Sequence, residues 1–180
     1  MDSFEKLFLE KIKSVLGTKD PAHDIAHVKR VVKTAKMLAM QEKASLEVVI
    51  PAAWLHDLVN LPKDHPERKK ASTLAADAAI AFLQNVNYPE KYFKSIHHAI
   101  VAHSFSAQTA PETIEAKIVQ DADRLDALGA IGVARLFSIG TQLQRPFYDV
   151  DDPFAEKRPL DDKMFTIDHI SLKLKSITET

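Results

Sequence analysis

An all-α fold, a single-domain bundle of about eight helices, is the class this sequence predicts, on three observations. Only four glycines occur in 180 residues. Apolar residues recur at spacings of three and four rather than two. A content of 46% apolar and 27% charged residues is ordinary usage for one core at this length.

Phe4, Leu7, Phe8, Ile12, Val15 and Leu16 stand at helical spacing with charges between them. They predict a helix that belongs to the fold, because a secretory signal would carry an unbroken apolar core. Asp20-Pro21 predicts an N-cap and first-turn proline ahead of a second helix over residues 23–41. Residues 46–59 predict a third, in which Pro51 should either kink the helix or mark a late start, since a proline in a helix interior costs about 3 kcal/mol. Further helices are expected over 67–84, over 90–104 after Pro89, and over 112–139 after Pro111, the last with a break near Asp121.

From 142 to 162 the apolar period is lost and Pro146, Pro153 and Pro159 alternate with Asp149, Asp151 and Asp152, which predicts a loop. Ile167, Ile170, Leu174 and Ile177 then restore helical spacing over about 163–178. That last stripe must pack on the bundle or on a second copy, as in a homodimer. No repeat or second domain is evident, so residues 1–180 read as one domain whose functional core spans about 20–140.

Composition excludes several classes. A net charge of −1 and a pI near 6.7 argue against a duplex nucleic-acid binder and favour a small ligand. Without cysteine there is neither a disulfide framework nor a thiolate metal site, so a metal would be held by His and carboxylate. No apolar run approaches the ~18 residues needed to span a bilayer, and a cytoplasmic location is expected.

Four residues carry the chemistry: His27, the adjacent pair His56-Asp57, and Asp123. The His-Asp dipeptide alone is weak, since His23-Asp24 repeats it, and placement supplies the signal. At ~100° per residue His56 aligns with Val49, Ala52 and Ala53, and Asp123 with Ala116, Val119, Ala127 and Ala130. His27 lies ~40° from the stripe of Val28, Val31, Val32, Ala35 and Leu38, at the border of the core. Any one of them could be an ordinary core residue satisfied by a carbonyl. Four together would be four separate charge burials costing several kcal/mol each, and one divalent ion satisfies them all.

His27 with Arg30 three positions on, Leu55-His56-Asp57 and the run Asp121-Ala-Asp-Arg-Leu-Asp126 together resemble the HD-domain metal-dependent phosphohydrolases. The likeness extends to the stretches 60–66 and 103–106 and covers about residues 20–140. It implies a helical bundle around a metal held by His27, His56, Asp57 and Asp123. Asp121 lies ~200° from Asp123 and Asp126 ~60° away, so helical geometry also favours Asp123, with Asp126 as a supporting or capping acceptor.

His23 and His27 have the i,i+4 spacing of zinc-protease helices, but Asp24 stands where that motif needs glutamate, and the protease reading leaves His56-Asp57 unexplained. His103 shares a stripe with Ile96 and Ile100 and should face the site, to assist a leaving group, contact substrate or join a second metal. His65, His97, His98 and His169 read as surface residues. Arg30, Asn60 and Lys63 are the candidates for holding phosphate, a choice the resemblance supports, while Lys69 and Lys70 read as a solvated helix face. Other branches of the family carry an acidic pair shortly after His-Asp. Asn60-Leu61 stands there instead, against a guanosine-tetraphosphate-hydrolase type of mechanism.

The expectation is therefore metal-assisted hydrolysis of a phosphate ester or anhydride, with a nucleotide as substrate by resemblance, Asp57 orienting or deprotonating water, and Mn or Mg ahead of Fe, Zn or Ni. The alternatives are a nucleotide-binding or regulatory module without turnover, and a purely structural bundle.

Overall fold

A computed structural model describes residues 2–16, 24–59, 61, 66–104 and 107–177. Asp20, Pro21, His23, Asn60, Lys63 and His65 lie outside them. Every regular element among the described residues is helical: α1 (Asp2–Val15), α2 (Ile25–Glu42), α3 (Leu46–Leu55), α4 (Ala71–Asn85), α5 (Phe93–His103), α6 (Ile114–Leu125), α7 (Gly129–Gln142) and a short α8 (Lys175–Ile177). Single 3-10 turns at Arg68–Lys70 and Glu90–Tyr92 lead into α4 and α5. A π-helical turn, Ile170–Leu174, leads into α8.

The described residues form two compact units, one within residues 2–123 and one within residues 124–177. In the first, α3 is the central helix. Val48 through Leu55 are all buried, as expected of a helix that is apolar on every side. It packs against α1, α2 and α5, and α5 packs in turn on α4. Ala75, Ala76 and Ala79 on α4 and Ala99 and Ala102 on α5 are fully buried, and these small side chains let the two backbones approach closely. Glu5 on α1 joins the layers: its carboxylate accepts from Trp54 Nε1 on α3 at 2.9 Å and from Lys36 Nζ on α2 at 2.7 Å.

Pro51 neither delays nor breaks α3. A proline lacks the N–H that would bond to the carbonyl four residues back, here Glu47. The Tyr88 hydroxyl takes that carbonyl at 2.7 Å. Burial, then the charge of Glu47, pushes the hydroxyl's pKa well up, so it remains a donor.

Helix α2 begins later than Asp20-Pro21 predicts. Asp24 is its N-cap, with extended backbone, and Asp24 Oδ1 accepts from the His27 N–H at 2.8 Å. The second His-Asp dipeptide thus supplies a cap. The break expected at Asp121 falls instead at 126–128, so Asp121 and Asp123 share one continuous helix.

In the second unit, Gly129 turns into α7 with a φ of +67°, and a Cβ at Gly132 would collide with the Ala127 backbone. Beyond Gln142, where α7 ends, residues 143–162 contain no helix and are organised by their carboxylates. Asp152 accepts backbone N–H bonds from Glu156, Lys157 and Arg158. Arg158 forks onto the buried Asp168 at 2.6 and 3.0 Å. The final helical stretch is shorter than 163–178.

Candidate metal centre

Three imidazoles of the first unit are oriented by helix ends. The last four carbonyls of a helix have no partner within it. His56, at the C-terminal end of α3, donates Nδ1–H to the Ala53 carbonyl at 2.9 Å. His103, the last residue of α5, donates Nδ1–H to the Ile100 carbonyl at 2.6 Å. A carbonyl can only accept, which fixes the proton on Nδ1 in both rings and turns both Nε2 atoms inward. His27 comes from the first turn of α2, its backbone held by Asp24. The His27 and His103 rings stand edge-on to His56, with centroids 5.6 and 4.9 Å from it.

Two carboxylates meet these nitrogens. Asp57 Oδ2 is 3.4 Å from His56 Nε2 and 3.9 Å from His27 Nε2. Asp123 Oδ1 is 3.4 Å from His27 Nε2 and 3.8 Å from His56 Nε2. Asp57 Oδ1 looks the other way, 3.9 Å from His103 Nε2. His27 and His56 are 1% exposed, whereas the side chains of Asp57 and Asp123 are 21% and 28% exposed, so the imidazoles form the floor and the carboxylates the open side. His27 is deeper than its angular offset predicts, because α3 packs along α2.

The donor set fits a divalent cation. Donors bound at about 2.1 Å to one ion stand roughly 3.0–3.4 Å apart, and the separations here are close to that. Donor atoms of His27, His56 and Asp57 all lie within 4.8 Å of one another, a group that does not include Asp123. His56 Nε2 is buried and has no aligned hydrogen bond among the described residues. Burial opposes a charge on His56, yet the charge of Asp57, with Asp123 and the Ala53 carbonyl, overcomes it and raises its pKa from 6.5 to about 9. The carboxylates are thus arranged to hold positive charge at this spot. His103 moves the opposite way: burial first, then His56, lowers its pKa, so it is neutral.

The neighbouring acids separate cleanly. Asp121 is exposed, and Asp126 is engaged by Arg135 of α7 at 2.6 Å. His97 pairs with exposed Asp77, His98 accepts the Glu112 N–H, and His169 pairs with Asp162. Arg30 lies one turn beyond His27 on α2. Asn60 and Lys63 lie outside the described residues. Among the buried polar residues that periodicity does not single out, Gln120 on α6 lies nearest the site in sequence, and its Nε2 donates to the Ala102 carbonyl at 2.7 Å. Its signal was a polar side chain inside the apolar stripe of α6.

Comparison with known families decides where the chain belongs. The model of the HD domain matches residues 24–128, which holds all five site residues. This chain belongs to the HD-domain family. The protein YpgQ of Bacillus subtilis is 35% identical over 130 residues, 70% of this chain but only 61% of YpgQ. The crystal structure of YpgQ in complex with ADP aligns with a TM-score of 0.69 at 28% identity, covering 95% of this chain and 81% of that one. An HD-superfamily hydrolase from Bacillus thuringiensis aligns with a TM-score of 0.71 at 30% identity, covering 99% and 82%. No helix among the described residues is long and apolar enough to cross a membrane.

Proposed function

We propose that this chain is a metal-dependent phosphohydrolase that cleaves a phosphate ester or anhydride of a small molecule, with a nucleotide as substrate. The observation that carries the reading is His56 Nε2, a buried nitrogen aimed by its own helix end at a second imidazole and two carboxylates. His27, His56, Asp57 and Asp123 would hold the ion. Such an ion would supply Lewis-acid polarisation of a phosphoryl oxygen and a water of lowered pKa; the two carboxylates suit Mn or Mg, and the two imidazoles suit Fe, Zn or Ni.

The chain's own groups divide the remaining work. Asp57 spends Oδ2 on the imidazoles and keeps Oδ1 toward His103, where it can orient a water and take its proton. His103 is neutral with Nδ1–H committed to Ile100, so Nε2 offers a lone pair and accepts a proton before it can pass one to a leaving group. Arg30, with Asn60 and Lys63 after the His-Asp pair, would hold non-bridging phosphoryl oxygens. ADP in the YpgQ complex supports a nucleotide as the ligand class, and the hydrolase among the structural relatives supports turnover.

The test is hydrolysis of mono-, di-, tri- and cyclic nucleotides in ¹⁸O-water by chelator-stripped protein with each metal restored. The account expects metal-dependent product with the label on phosphorus. A protein that binds metal and nucleotide yet releases no labelled product would instead be the regulatory module.

A further inference from the structure

Five side chains converge on the site from four helices or their ends, so its geometry depends on how those helices are held in register. Helix α6, which carries Asp123, buries Ala116, Ile118, Val119 and Ala122 in the apolar core of the first unit. Two polar ties add direction to that packing. Glu115 Oε1 accepts the N–H of Ser45, the N-cap of α3, at 3.2 Å. Gln120 Nε2, in a side chain only 8% exposed, donates to the Ala102 carbonyl at 2.7 Å.

The second tie lies beside the site. Ala102 precedes His103 in the last turn of α5, and Gln120 is one turn before Asp123, on an adjacent face of α6. The carbonyl it takes is one that α5 cannot use itself, as are those taken by His56 and His103. A buried amide that lost this partner would leave an unsatisfied polar group, so the bond resists sliding or rotation of α6 along α5.

We propose that Gln120 is a positioning residue: it locks α6 to the end of α5 so that Asp123 Oδ1 reaches the His27 and His56 nitrogens. The inference rests on the metal-centre reading. It assigns Gln120 no contact with the ion or with substrate. An outer hydrogen bond that orients a ligand typically alters metal affinity 10- to 100-fold when lost.

The test is a Co²⁺ titration of the full-length, chelator-stripped protein, following the visible d–d bands that report the ligand set. Gln120→Met keeps the volume and deletes the donor. It should weaken Co²⁺ binding about tenfold or more and change the band shape. Gln120→Asn, whose amide falls one methylene short of Ala102, should change both in the same direction if Gln120→Met does not fold. Glu115→Ala loosens α6 at its far end and should lower the melting temperature while leaving the spectrum as in wild type. Wild-type affinity and spectrum in Gln120→Met, or the same spectral change in Glu115→Ala, overturn the positioning role. Failure of the wild-type protein to bind Co²⁺ overturns the metal centre itself, and this inference with it.

Discussion

Single atoms decide what each site residue can do. Because Ala53 and Ile100 accept the Nδ1–H of His56 and His103, both rings turn Nε2 toward the place where an ion or a proton is wanted. His56→Ala and Asp123→Asn should therefore lose bound metal and activity together, as metal analysis beside the nucleotide assay would show. Lys63→Ala should keep its metal and bind phosphate more weakly, raising KM more than it lowers kcat. Loss of metal in Lys63→Ala, or full activity in Asp123→Asn, would reassign the roles. The inward placement of His56 and Asp123 was legible from helical periodicity alone. The Nδ1 carbonyl bonds and the Gln120 tie were not, because they join a side chain to a backbone atom whose position only the fold supplies.

Among the elements, α3 illustrates how a local rule is offset from a distance. Periodicity marked 46–59 as helix and Pro51 as a conflict within it. The resolution comes from Tyr88, 41 positions past Glu47 in the chain, which no spacing rule could pair with it. Tyr88→Phe should cost about 1 kcal/mol, since it strands the Glu47 carbonyl, and lower the melting temperature by roughly 2–4 °C. In a Pro51→Ala background the restored N–H competes for Glu47, so the same substitution should cost less; an equal cost in both backgrounds would show that the two residues are not coupled. The break between α6 and α7 falls later than Asp121 for a similar reason. Asp121 carries no breaking signal stronger than its acidity, whereas Gly129 with positive φ sets the actual turn.

The loop 142–162 was legible as a loop, but its carboxylate framework was not. Arg158, then the Asp161 N–H, holds the Asp168 carboxyl below its usual range, and Lys173 and His169 hold Asp162 low despite the opposing effect of burial. Carboxylates depressed in the folded state contribute stability that is present above their unfolded pKa, near 4, and is lost as pH falls through the folded values. On acidification, amides of residues 145–170 should begin to exchange before those of α2 to α5, and Asp168→Asn should flatten that dependence. Simultaneous loss of protection across both units would contradict this.

For the molecule as a whole, the account requires a first unit whose apolar core surrounds a charged centre that a cation completes. Metal at about 100 times its dissociation constant should stabilise the fold by about 2.7 kcal/mol, a rise of roughly 5–10 °C in melting temperature at this chain length. The most direct measurement is calorimetric titration of chelator-stripped protein with Mn²⁺, run on wild type and on His56→Ala. The account predicts at least one ion bound per wild-type chain and its loss in His56→Ala. No binding to either protein, or equal binding to both, would contradict it.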